Sequence, residues 1–281
     1  MSATETTDYT VKVDTDVQSN SDVNGQKSST IQRFHDGNQL AHLNTGESAR
    51  YAAFGGELQP GLYKPTTERK FANPAPLGLS AFALTTFVLS LINVQAKNVT
   101  EPNIVLALAL GYGGLVQLLA GMWEMAVGNT FGATALSSYG GFWISFAIVL
   151  TPGGFDIASA YSGNDFNNAF GFFLTGWFIF TTIMVFCTLR STVAFFLTFF
   201  LVDMAFLLLA IGWLQGEGGA PKADIIKAGG YFGLFAAFGA WYNAFAGIAD
   251  DSNSFFVVPV AHFPWSAHAI EARARTNHKT V

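Results

Sequence analysis

Between Pro74 and about Gly247 the chain is one long apolar block that keeps almost no charge away from its short loops. In the hydrocarbon core of a bilayer each backbone N–H and C=O must be satisfied within its own segment, so a spanning segment of this kind is a helix of about 20 apolar residues. The block divides into six such segments: Ala75 to Ala96, Asn103 to Val127, Phe131 to Leu150, Phe166 to Leu189, Thr192 to Leu214 and Ile225 to Ile248. The sequence therefore predicts an all-α membrane protein with six transmembrane helices. The Gly128-Asn129-Thr130 and Arg190-Ser191 junctions are so short that the helices they join must be antiparallel neighbours.

Composition agrees with this reading. Charged residues make up 12% of the chain, about half the share of an average soluble domain. The 28 Phe and 29 Gly fit lipid-facing bulk and close helix packing, respectively. Residues 1–70 are rich in Ser, Thr, Asp, Asn and Gln, a composition that predicts a disordered tail, with a short ordered turn expected at Phe54-Gly55-Gly56 and Gln59-Pro60-Gly61-Leu62. Residues 71–250 form the membrane domain and 251–281 a second tail. The polar start of the chain predicts no cleaved signal peptide. Six spans place both termini on one side; Lys64, Arg69, Lys70, Arg190, Arg273, Arg275 and Lys279 gather there, against Lys97, Lys222 and Lys227 opposite, so both tails are expected in the cytoplasm.

Few residues in the block can carry chemistry. Asn73-Pro74-Ala75-Pro76-Leu77-Gly78-Leu79 opens the first span, either as a well-capped helix start or as a helix terminus that receives an anion. Gly113, Gln117, Gly121 and Glu124 share one helical face that should point into the bundle, Glu124 being either a solvated mouth residue or a structural partner. Thr134, Ser138, Gly141 and Ser145 form a small and polar stripe beside Tyr139. Asn243 is either interhelical glue or a pathway contact. Asp203 is a carboxylate inside the fifth span, and so either proton-linked or a paired acid. All five histidines lie in the tails, no basic residue sits deep in a span, and Cys187 is the only thiol. That pattern disfavours intramembrane hydrolysis, haem ligation, Schiff-base chemistry and a voltage sensor. No catalytic residue, metal site, cofactor or nucleic-acid partner is expected.

The run Asn73 to Leu79 resembles the signature of the acetate uptake transporter family. The resemblance continues through Tyr112-Gly113-Gly114-Leu115-Val116-Gln117, Asn129-Thr130-Phe131-Gly132, Ser138-Tyr139-Gly140-Gly141-Phe142-Trp143 and Trp241-Tyr242-Asn243-Ala244, and the tail motifs are similar to those of the fungal branch. It spans about residues 54 to 250. It implies a hexameric ring in the plasma membrane, similar in architecture to proton-gated urea channels, each protomer passing acetate or related small carboxylates such as succinate or lactate. It also implies an apolar constriction, mapped onto Phe82, Tyr139 and Val202, where Val replaces the family's Leu and Asp203 follows in place of a small apolar residue. With no buried cation to neutralise a carboxylate, the substrate must be held by hydroxyl, amide and helix-end donors or cross as the neutral acid. Asn73, Gln117, Thr85, Thr86 and Thr134 are the expected orienting groups, with Phe82 and Tyr139 forming a gate that dewets when closed. The alternatives are an exporter of ammonium or another small solute, and a non-transporting acid sensor.

Overall fold

In the computed structural model, residues 71–250, 252–266, 269–271 and 273 are described. The expected tail turn at Phe54 to Leu62 lies outside the described residues, as do His35, His42, His268 and His278. Six long helices carry the fold: α1 (Ala75–Asn93), α2 (Asn103–Ala126), α3 (Thr130–Leu150), α4 (Asp165–Thr188), α5 (Val193–Leu214) and α6 (Ala223–Ile248). Their ends fall within a few residues of the hydropathy boundaries. The first five are long and apolar enough to cross a membrane. The sixth is 26 residues long but carries Asp224, Lys227 and a run of Gly and Ala, so its apolarity is lower.

Local chemistry sets the helix ends. Asn73 Oδ1 accepts from the Ala75 amide at 3.0 Å, and Pro74 and Pro76 occupy the first turn, where a missing N–H costs nothing. α1 stops where Gln95, Lys97 and Asn98 turn left-handed. α2 stops at Gly128, whose φ of +86° lets the Asn129 amide reach back to the Glu124 carbonyl at 2.9 Å. α3 then begins under the Asn129 side chain, which accepts from the Gly132 amide at 3.0 Å. Thr192 caps α5 in the same way through the Phe195 amide, at 3.2 Å.

Around the bundle the close neighbours run α3–α2–α1–α6–α5–α4. The seam between α2 and α3 is closed by glycine. A Cβ at Gly140 would lie 2.7 Å from the Leu118 backbone nitrogen, and one at Gly121 would strike Ser137. Between α3 and α4 the backbones stand further apart and rings fill the space: Phe142 lies 5.2 Å from Trp177 and 5.8 Å from Phe173, centroid to centroid. The odd-numbered helices all run in one direction, so their residues can be compared level by level. The segment 252–266 folds back over one end of the bundle. The Val193 amide bonds to the Ala261 carbonyl at 2.7 Å, Thr192 and His262 form a β-bridge, and Trp265 Nε1 donates to the Leu189 carbonyl at 2.7 Å.

One segment could not be placed by hydropathy. Within α2, Gly111–Val116 winds as a single π-helical stretch, the extra residue resetting the helix's phase between Ala109 and Gln117. Gly113 is the close-contact point there, since a Cβ would sit 2.5 Å from Thr85 Oγ1 on α1.

Candidate functional site

At the end of the bundle where α1, α3 and α5 finish, a cavity of about 670 Å³ opens between the helices. Ile92, Phe146, Leu174 and Trp213 form its wall, with Glu101 and Thr100 at the rim. A second chamber of about 40 Å³ adjoins it, and the two share Leu89, Asn93, Phe142 and Leu209. Phe82, Val202 and Phe206 line this inner chamber. Tyr139 packs on the constriction residues, 5.9 Å from Phe82 and 6.4 Å from Phe206 between ring centroids. Thr181 donates to the Trp177 carbonyl at 2.7 Å, so its single proton is used and the Tyr139 hydroxyl donates to Thr181 Oγ1 at 3.0 Å. That bond fixes the tyrosine ring against the path.

The lining therefore descends from a partly polar vestibule to an apolar neck. No Lys, Arg or His is among the lining residues of either cavity, and Glu101 is the one charged side chain. A carboxylate entering here meets dipoles rather than a counter-charge.

The sequence-derived candidates separate into groups. Phe82, Thr86 and Val202 meet at the inner chamber, with Tyr139 against them. Gln117 is fully buried, and neither its Oε1 nor its Nε2 has a hydrogen-bond partner among the described residues. It lies one turn beyond Gly113, which in an antiparallel pair brings it level with Ala81, beside Phe82. Thr85 is fully buried but donates to the Ala81 carbonyl at 2.9 Å and faces α2. Asn73 caps α1 at the opposite end of the bundle from the vestibule. Asn243 ties α6 to α5 by donating to Thr198 Oγ1 at 3.0 Å and to the Ala194 carbonyl at 3.3 Å, and its Oδ1 remains without a partner among the described residues.

Three further residues line neither cavity. Thr134 lies on the outward side of α3 and bonds its own helix at the Thr130 carbonyl, at 2.8 Å. Glu124 is fully buried and accepts from Asn129 Nδ2 at 2.7 Å, so it braces the corner between α2 and α3. Asp203 follows Val202 in sequence, but a step of one residue turns a helix by about 100°, and its Oδ1 accepts instead from Thr182 of α4 at 3.0 Å. The carboxylate expected beside the constriction is thus directed at a neighbouring helix. Trp143 and Phe206 were missed as lining residues. Their signal was spacing: Phe82 and Thr86, Tyr139 and Trp143, Val202 and Phe206 are three i, i+4 pairs on helices running the same way.

Apolar helices around a narrow path without a cation define a multi-pass membrane protein of the channel or carrier class. The chain belongs to the GPR1/FUN34/yaaH family, whose model matches residues 54–265. It is 69% identical over 248 residues to "Acetate permease A" of Emericella nidulans, covering 86% of this chain and 83% of that protein. It is 53% identical over 210 residues to "Ammonia transport outward protein 2" of Saccharomyces cerevisiae, covering 74% of this chain and 72% of the relative. Among solved structures, that of the bacterial acetate channel SatP matches with a TM-score of 0.59 at 35% identity, covering 68% of this chain and 100% of the other.

Proposed function

We propose that the protein transports acetate and related small monocarboxylates across the plasma membrane, through a path that opens at the vestibule and is closed at Phe82, Tyr139 and Val202. The observation that carries this reading is the pair of adjoining cavities beside an apolar neck, with no Lys, Arg or His among the described residues that line them. The names of the E. nidulans relative and the SatP structure supply the cargo. Six spans follow if α6, packed between α1 and α5, crosses with them. Both tails then lie in the cytoplasm and the vestibule faces outward. A hexameric ring is the assembly we infer from the family resemblance, with the outward apolar faces of α2, α4 and α6 meeting lipid or neighbouring protomers.

The chemistry of the path favours proton linkage. Stripping water from a free carboxylate in an apolar neck is costly, and without a Lys or Arg the cheaper species there is the neutral acid. The unpartnered amide of Gln117 offers both a donor and an acceptor at the level of the neck, and so suits a protonated carboxyl group. Glu124 and Asp203 act in this reading as braces between helices rather than as proton carriers.

Uptake of labelled acetate into proteoliposomes with an imposed inward proton gradient tests the proposal. The expected result is gradient-driven accumulation, weakened by Gln117→Ala and retained in Asp203→Asn. Absence of acetate movement in the wild-type protein would overturn it. The second reading, ammonium export, is favoured by the name of the S. cerevisiae relative. It predicts that ammonium competes with acetate flux.

A further inference from the structure

The segment 252–266 carries large apolar side chains that the described residues leave uncovered: Phe255 is fully exposed, and Phe256, Val257 and Trp265 are each more than half exposed. Its backbone is nevertheless held fast. Tyr242 of α6 donates its hydroxyl to the Pro259 carbonyl, the Val193 amide of α5 bonds to Ala261, and Trp265 Nε1 donates to Leu189 just beyond α4. Val258 is buried against Ala246 and Ala249. The segment is thus a strap laid across the ends of α6, α5 and α4, tied down in a way that holds these side chains outside the bundle. With the indole N–H already spent on Leu189, Trp265 presents apolar ring outward, stacked on Phe263 at 4.9 Å.

We propose that this strap is a lipid-binding surface, seated in the headgroup layer of the cytoplasmic leaflet with Phe255, Phe256, Val257 and Trp265 among the lipids. The inference rests on the six-span topology and orientation given above and is independent of the cargo. Depth favours it. α4 and α6 have 24 and 26 residues, about 36 and 39 Å of helix, against a hydrocarbon core of about 30 Å and about 40–45 Å with headgroups included. A segment tied to the last two turns of α6 and to the first residue beyond α4 therefore lies at headgroup level. Surface continuity favours it too. Phe256 stands 6.0 Å from Phe245, a half-exposed ring of α6, and Trp265 meets Leu189 close to the exposed Phe186 of α4, so the lipid-facing apolar surface of both helices continues onto the strap. Arg190 is exposed in the turn next to Leu189 and Arg273 is exposed beyond the strap, which sets cations where lipid phosphates lie. Aromatic rings favour that same layer, where apolar and wet surroundings meet.

The test uses the full chain carrying Cys187→Ser, with a nitroxide label attached at Phe255→Cys or, separately, at Val257→Cys, in lipid nanodiscs. Relaxation of the label by oxygen, which partitions into lipid, is compared with relaxation by a water-soluble nickel chelate. Glu217→Cys, at an exposed position at the opposite end of the bundle, serves as the aqueous reference. At both strap positions the ratio of oxygen to chelate access should be several-fold higher than at the reference. Chelate access equal to that at the reference would overturn the proposal. Exclusion of both relaxants would overturn it as well, since that result means a chain tail or a second copy of the protein covers the strap. Both strap positions are exposed, so labelling removes no core contact, and the second position decides if one variant cannot be purified. Acetate uptake by the same preparations reports separately on the transport reading, which either outcome at the strap leaves standing.

Discussion

The seam between α2 and α3 and the gap between α3 and α4 solve the same packing problem in opposite ways. In the seam, glycines let backbones touch, with Gly140 against Leu118 and Gly121 against Ser137. In the gap, Phe142, Phe173 and Trp177 act as spacers, and Tyr139 reaches across to Thr181. Without a hydrophobic drive between helices in lipid, close approach depends on small residues, and a seam made that way leaves no room for a solute. Rings hold backbones apart but cannot tile the space between them. Phe142 lines both cavities, and Phe206 lines the inner one.

The largest break of this contrast is Gly140→Val, which should force α2 and α3 apart at a cost of about 3 kcal/mol, read as lost monodisperse protein after detergent extraction. Next is Asn129→Ala, which removes the α3 cap and the donor to the buried Glu124 carboxylate; a loss of about 2 kcal/mol in thermal melting is expected, and an unchanged melting temperature would mean that glycine contact alone holds the seam. On the other side, Phe82→Ala should widen the neck and raise acetate flux about tenfold, equivalent to roughly 1.4 kcal/mol off the barrier. Flux indifferent to that change would place the constriction elsewhere. The smallest effect belongs to Thr181→Val, which frees the Tyr139 hydroxyl and should cost about 1 kcal/mol of stability with a modest rise in passage of acids bulkier than acetate.

The helix boundaries were legible because hydropathy and capping residues both mark them: Asn73, Asn129 and Thr192 each sit where a helix begins. The inward face of Gly113, Gln117, Gly121 and Glu124 was legible too, since a polar residue among apolar ones reports a direction. Facing could not be read where a helix is apolar all round. α5 has almost no amphipathic contrast, so Val202 and Asp203 gave no sign that one lines the chamber and the other meets Thr182. The Thr134 stripe could not be placed by spacing for the related reason that small polar residues suit both a lined path and an outward helix surface; Thr134 is exposed. The π-helical stretch at Gly111–Val116 left no hydropathy trace, because it adds a residue without changing the average.

The side chains that narrow the path come from α1, α3 and α5, whereas most of the large exposed apolar residues, among them Leu115, Leu119, Phe172, Ile183, Phe235 and Phe238, belong to α2, α4 and α6. The residues that narrow the path and those that meet the surroundings thereby fall largely on different helices, with the buried amide of Gln117 on α2 as the exception. Drift on the outer set can refit the protein to a thicker bilayer or a different neighbour while its selectivity is inherited unchanged, and a new selectivity can arise on the inner set without disturbing how the protein sits among lipids.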